Sequence, residues 1–239
     1  MGQPIHVATE TVKELLAGLG PADSFNILTF AGSSQTYFDH SVPVTDAQIE
    51  RAIQWLSNGP RGGGTYLIDA LNQTFALPKD ANKSRNIVVI TDGYVNVQHD
   101  AMALIRAKLG EGNLFSIGIG RSVNRSIIEG MARAGYGEPF VITDLNDAAV
   151  TVDAFIDYAS NPVLTDITVE VEGIRLEGLT GNRLPDLFRS RPLELQGRFK
   201  GEPRGQIIIE GLSAEGRIRE VINLGDVEVD EDADELTLL

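Results

Sequence analysis

The apolar positions of this chain change their period near residue 160. Before that point some stretches repeat every three or four residues and others run unbroken. Ile5, Ala8, Val12, Leu15, Leu16 and Leu19 follow Pro4 at helical spacing, and Gly20-Pro21 stops them, which predicts a core-facing amphipathic helix. Residues 25–31 read as a strand and 35–38 as a short edge strand, after which Thr45 is placed to cap a helix through Ile49, Ala52, Ile53 and Leu56. Trp55, the only tryptophan, belongs to the packing of that helix. A further helical pattern runs through Leu67, Ile68, Ala70, Leu71 and Phe75. Residues 86–90, Asn-Ile-Val-Val-Ile, form a β-branched run of the kind buried on both faces of a parallel sheet. A helix over 101–109, a strand at 114–120, a helix over 125–134, a strand at 140–143 and a helix over 147–158 complete the alternation. Such βα alternation predicts a parallel sheet with helices on both faces.

Beyond Asn161-Pro162 the period becomes two. Ile167, Val169 and Val171 alternate with polar residues, as do Leu193 and Leu195, Ile207 and Ile209, then Ile218 and Val221-Ile222 with a slip. Gly-rich turns at 178–181, 201–205 and 211–216 separate these runs. The pattern predicts an antiparallel β domain over 161–239, a small sandwich, after an α/β domain over 1–160.

Two loops carry candidate chemistry. Thr91-Asp92-Gly93 follows the apolar run at 86–90, and a carboxylate at the carboxyl end of such a strand lies in the crevice where open α/β sheets bind ligands. Asp92 also fits an ordinary turn aspartate. Gly62-Gly63-Gly64 permits backbone conformations closed to other residues, and Thr65 stands at the mouth of the next helix. Its hydroxyl suits either an N-cap or a ligand for a hard cation.

The order of Phe25-Asn26-Ile27-Leu28-Thr29-Phe30, Gly-Gly-Gly-Thr-x-x-x-Asp-Ala-Leu ending at Leu71, Ile-Thr-Asp-Gly ending at Gly93, and Phe115-Ser116-Ile117-Gly118-Ile119-Gly120 resembles the von Willebrand factor A domain. The stretches 123–135 and 159–166 are similar to the branch of the inter-alpha-trypsin inhibitor heavy chains and their bacterial relatives, which carry a VIT domain upstream. The resemblance spans roughly residues 1 to 200. It implies a doubly wound, Rossmann-like, mostly parallel sheet followed by a small antiparallel β domain.

It also implies a metal-ion-dependent adhesion site for magnesium or manganese, built from an Asp-x-Ser-x-Ser motif, a Thr and an Asp. One coordination position would be left for a carboxylate donated by a partner protein. Thr65 and Asp92 match the second and third parts, and no Asp-x-Ser-x-Ser occurs in the chain. In the family that motif ends the first, central strand and precedes a Met and a Gly-x-Pro. Met1-Gly2-Gln3-Pro4 therefore reads as a start just after the motif, and the chain as a fragment that also stops in mid-pattern at Leu239. Weak or absent metal binding by this chain is the resulting expectation, because magnesium demands near-octahedral oxygen coordination. The strands at 25–31 and 86–91 are expected either to face a gap or to pair directly. By the same resemblance the partners are a protein ligand and neighbouring VIT and β domains of the parent chain, and the location is extracytoplasmic.

Charge narrows the partners further. Of a formal −14, residues 1–160 contribute 11 basic against 17 acidic side chains and residues 161–239 contribute 9 against 17, so neither half has the basic footprint that nucleic acid requires. Asp226, Glu228, Asp230, Glu231, Asp232, Asp234 and Glu235 meet no basic residue and read as a solvated segment; their spacing does not fit an EF-hand. No run approaches the ~18 apolar residues of a membrane span. The absence of Cys removes disulfides and thiolate chemistry.

The same alternation builds nucleotide-binding and hydrolase folds. There is no P-loop and no Gly-x-Ser-x-Gly elbow. Gly118-Ile119-Gly120 lacks the third Gly of a dinucleotide fingerprint and reads as a strand-end turn. His6, His40 and His99 have no ligand spacing. Asp69, four residues after Thr65, reads as a salt-bridge or supporting residue. The sequence thus points to a non-enzymatic binding module, against a metal-independent scaffold and an α/β enzyme with an unrecognised site.

Overall fold

A computed structural model describes residues 3–30, 32–59, 66–80, 83–92, 97–110, 112–121, 123–143, 145–159, 162–174, 176–177, 184, 186–188, 197–199, 204–213 and 215–226. Contacts divide the chain into two compact units, Met1–Ser160 and Asn161–Leu239.

The first unit opens with α1 (Gln3–Ala17) and four two-residue strands, β1 (Ser24–Phe25), β2 (Leu28–Thr29), β3 (Gln35–Thr36) and β4 (Val42–Pro43). Then come α2 (Asp46–Asn58), α3 (Leu67–Ala76), β5 (Asn86–Thr91), α4 (Gln98–Lys108), β6 (Asn113–Ile119), α5 (Arg125–Ala134), β7 (Tyr136–Ile142) and α6 (Leu145–Ala159). Strands β5, β6 and β7 form a parallel sheet in that order. Every residue of β6 is buried, so β6 is the strand covered on both faces. On one face Ile87, Val89 and Leu114 pack with Leu67 and Leu71 of α3, Ile105 of α4 and Ile127, Ile128 and Met131 of α5. On the other, Ile117, Ile119 and Ile142 pack with Val7 of α1 and Ala148 of α6. Helices on both faces of a parallel sheet are the architecture the periodicity implies. On β5 only one face is fully buried, because Val88 and Ile90 are half-covered.

The expected strand over 25–31 is broken into β1 and β2, which pair antiparallel with β4 and β3 respectively. Asn26 explains the break. Its Oδ1 accepts from the amides of Ile27 (2.8 Å) and Phe38 (3.1 Å), and its Nδ2 donates to the Phe38 carbonyl at 2.8 Å. A side chain that occupies these backbone groups competes with the ladder. The Tyr37 amide still reaches the Ile27 carbonyl at 2.7 Å, so the hairpin holds. Among the described residues neither β1 nor β2 pairs with β5, whose described ladder is to β6 alone. Of the two alternatives for that side of β5, direct pairing is not the one adopted.

Other boundaries shift for local reasons. β7 begins at Tyr136, well before the expected 140, because Pro139 is tolerated on an edge strand where its missing N–H faces away from the ladder. Helix α1 stops at Ala17 and α4 starts at Gln98. The expected cap of α2 is present, with Thr45 Oγ1 accepting from the Gln48 amide at 3.2 Å. The Trp55 ring lies 5.4 Å from that of Tyr37 on this helix's inner side. Gly118 has no room for a Cβ, which would meet Val123 Cγ2 at 2.9 Å, and this lets α5 lie close on β6. The Ser116 hydroxyl, fully buried at that contact, donates to the Ile128 carbonyl at 2.6 Å.

Arg85 ties α3 to the sheet. Its guanidinium donates to the carbonyls of Leu77 (2.7 Å) and Pro78 (2.8 Å), just past the last turn of α3, and partial burial lowers its pKa from the ordinary value. A charged donor on the carbonyl end of a helix is favoured by the dipole. Arg85→Met, which keeps the stem and removes the donors, is expected to lower the stability of the first unit by about 2 kcal/mol in urea titrations; a change below about 0.5 kcal/mol would show that the contact is idle.

The second unit consists of β8 (Pro162–Glu172), β9 (Leu176–Glu177), β10 (Leu187–Phe188), β11 (Arg198–Phe199), β12 (Gln206–Ser213), β13 (Gly216–Asn223) and a single 3-10 turn at Leu224–Asp226. Its four-stranded antiparallel sheet has the order β10-β8-β12-β13, and β9 with β11 makes a separate ribbon. Leu193, Leu195, the glycine turn at 178–181 and the acidic segment past Asp226 lie outside the described residues. The slip expected in β13 is absent: its register with β12 is continuous from Gln206↔Asn223 to Ser213↔Gly216. The irregularity falls in β8 instead, between Thr165 and Thr168, where Asp166 adopts φ 51° opposite Gly211. Gly211 is accordingly a strand residue, not part of a turn spanning 211–216. A Cβ there would meet Leu164 Cγ at 2.4 Å, so its hydrogen makes room for that buried side chain.

Candidate binding site at the carboxyl end of the sheet

Asp92 is the first residue past the last ladder pair of β5, Thr91↔Gly118, and its side chain is exposed. The parallel direction of β5, β6 and β7 sets their carboxyl ends together. Gly120, with φ +100°, turns the chain away from the end of β6 and donates to the Ile142 carbonyl at 2.8 Å. That is the strand-end turn expected of the Gly118-Ile119-Gly120 run.

Helix α3 reaches the same end. Arg85, one residue before β5, holds the carbonyls that follow α3, so the carboxyl terminus of the helix sits by the amino end of β5. Leu67 and Leu71 then run back along the strand to bury against the Ile87–Val89 side. Tyr66, the N-cap position of α3, is thereby carried toward the Asp92 end, and it makes no side-chain capping bond. Gly62, Gly63, Gly64, Thr65 and Gly93 lie outside the described residues. The structure therefore places one of the two expected ligands, Asp92, and leaves the geometry of Thr65 toward it undescribed.

The donor set decides what metal chemistry these residues support. A magnesium ion takes about six oxygens in strict octahedral geometry and dehydrates reluctantly. One carboxylate and one hydroxyl do not make such a site, and among the described residues no group of three or more His, Cys, Asp or Glu converges. Thr65 and Asp92 alone do not fit a tightly held divalent cation.

Asp69, on α3, is exposed and makes no ion pair among the described residues, so the salt-bridge reading finds no partner there. It lines instead an open depression of about 410 Å³ with the N-cap residue Tyr66, with Asn72 and Gln73 of α3, and with Gly32, Ser33 and Ser34 of the β2–β3 turn. Nothing local in the sequence marks this group, because the two stretches meet only through folding.

A parallel sheet with helices on both faces, and an exposed carboxylate at its carboxyl end, places the first unit among the open α/β domains. The von Willebrand factor type A domain family model matches residues 2–139, and the chain belongs to that family. Along most of its length it is similar to the inter-alpha-trypsin inhibitor heavy chains: 25% identical over 217 residues to heavy chain 4 of Mus musculus, covering 84% of this chain and 23% of that protein. A von Willebrand factor A domain-containing protein of Dictyostelium discoideum is 22% identical over 223 residues, covering 93% of this chain and 24% of its own length. The chain thus spans about a quarter of the curated relatives it matches. Among solved structures, a von Willebrand factor type A protein from Catenulispora acidiphila aligns with TM-score 0.66 at 14% identity, over 92% of this chain and 61% of the other. The ArnB paralog VWA2 from Sulfolobus acidocaldarius aligns with TM-score 0.62 at 16% identity, over 92% and 60%. Among the described residues no helix is long and apolar enough to cross a membrane.

Proposed function

We propose that this chain is a non-catalytic protein-binding module whose partner docks at the carboxyl end of the parallel sheet, beside Asp92. The observation that carries the reading is the exposure of Asp92 immediately after the last β5–β6 pair, at the end where α/β sheets of this kind bind ligands. Thr65 and Asp92 are proposed as two ligands of a magnesium or manganese site that needs an Asp-x-Ser-x-Ser loop, absent from these residues, for completion. Hard-cation chemistry suits a carboxylate from the partner as a further oxygen donor. Proximity to VIT and β domains in one polypeptide, and an extracytoplasmic location, follow from the likeness to the heavy chains.

Calorimetric titration with magnesium and manganese tests this. The chain alone is expected to show no saturable binding at micromolar concentration. A version carrying a strand and an Asp-x-Ser-x-Ser loop ahead of residue 1 is expected to bind, and to lose at least about tenfold in affinity on Asp92→Ala, since a lost charged ligand is worth well over 1.4 kcal/mol. Micromolar binding by the chain alone would overturn the incomplete-site reading. Silence from both versions, each folded, would favour a metal-independent scaffold.

A further inference from the structure

We propose that Asn58 is a modification site, where the folded chain deamidates through a cyclic imide without an enzyme. Asn58-Gly59 is the one Asn-Gly pair in the sequence. It falls at the carboxyl end of α2, with Asn58 the last helical residue and Gly59 the C-cap. Gly59 has φ −67° and ψ 173°, so the chain leaves the helix there, and its amide donates to the Leu56 carbonyl at 3.3 Å. The Asn58 side chain is exposed and makes no hydrogen bond among the described residues. Turning the peptide between these two residues therefore costs one long hydrogen bond at a helix end, where fraying is normal, and leaves the packing of α2 through Ala52 untouched.

The chemistry needs only a base and water. The Gly59 nitrogen gives its proton to hydroxide or a buffer base and attacks the side-chain carbonyl carbon of Asn58. A bond forms between that carbon and the nitrogen, the bond from the carbon to Nδ2 breaks, and ammonia leaves with a proton from solvent, closing a succinimide ring. Water then opens the ring at either carbonyl, giving an aspartyl residue or an isoaspartyl residue with an extra methylene in the backbone. Glycine suits the attack because it has no side chain to shield its nitrogen and its backbone turns freely into the ring. Other asparagines lack these conditions. Asn26 is held by three hydrogen bonds and Asn72 by two, Asn113 is fully buried, and each precedes a residue with a side chain. The carboxylate produced at position 58 lies at the carboxyl end of α2, where the helix dipole disfavours an anion, and the last turn of α2 has no basic residue to offset it.

The test is to hold the whole chain at neutral pH and body temperature, folded and in parallel unfolded in urea, with EDTA present so that the outcome is independent of the metal site. The tryptic peptide from Ala52 to Arg61 is followed by its amide-to-acid mass gain and by labelling with an isoaspartyl methyltransferase. Conversion of Asn58 in the folded chain is expected within about tenfold of its rate in the unfolded chain, and about tenfold or more ahead of Asn26, Asn72 and Asn113. In Gly59→Ala the added Cβ would lie 3.4 Å from the Leu56 carbonyl oxygen, an ordinary contact, and φ −67° suits alanine. That variant should keep the parent's urea transition by Trp55 fluorescence while conversion slows about tenfold or more. The proposal is overturned if Asn58 stays intact in the folded chain while the unfolded chain converts, if one of the other three asparagines converts first, or if Gly59→Ala, folded as the parent is, converts as fast.

Discussion

Replacing Phe115 by alanine is expected to destabilise the first unit by about 3–5 kcal/mol. The residue sits at the middle of β6 with no exposed surface. Its ring meets Phe155 at 5.1 Å and Tyr158 at 5.9 Å, both edge to face, so the substitution removes the ring's transfer energy, leaves a cavity and strips two aromatic contacts. Since Trp55 is the only tryptophan and lies in the first unit, its fluorescence in urea reports this unit specifically. A loss smaller than about 1 kcal/mol would mean that β6 is not the centre of the core.

The second large effect is expected at Gly137. A Cβ added there would lie 2.3 Å from the Leu114 carbonyl oxygen and 2.8 Å from the carbonyl carbon, both backbone atoms of the neighbouring strand. No rotamer change relieves a clash with backbone, so the ladder between β6 and β7 must open beside the irregularity between Leu114 and Ser116. Gly137→Ala should cost toward the upper end of about 1–3 kcal/mol, and more if the sheet cannot shift. Hydrogen exchange would locate the loss: amides of β7 should lose protection first. Unchanged protection along β7 would show that the strand accommodates the methyl.

Of these two sites only Phe115 lies in a part of the chain that was readable in advance, since the strand holding Gly137 was expected only from residue 140. The helix at 125–134 was expected with the bounds of α5, and β6 within a residue, because a strong helical repeat and an apolar run leave few alternatives. Residues 25–31 were misread as one strand because their pattern is that of a strand. Asn26 breaks it by bonding across to Phe38, a contact with a residue distant in sequence. The strand expected at 140–143 begins at Tyr136 instead, and the position of β7 at the edge of the described sheet makes Pro139 harmless within it. In the second unit Gly211 looked like turn chemistry, whereas the space it leaves belongs to Leu164 on another strand.

The candidate site divides in the same way. Asp92 was legible because an apolar strand followed by an acidic turn carries a direction, and the carboxyl end of a parallel strand has a known place in the fold. The depression formed by Ser34, Tyr66 and Asp69 was not legible, because its walls come from a turn and a helix that only packing brings together. The sequence by itself determined the alternation of elements, the change of period after Asn161-Pro162, the family and the missing Asp-x-Ser-x-Ser, since these rest on local order along the chain. Tertiary structure alone decided which strand is buried on both faces, where the ladders break, and which side chains share a surface, since those depend on contacts between residues far apart in sequence.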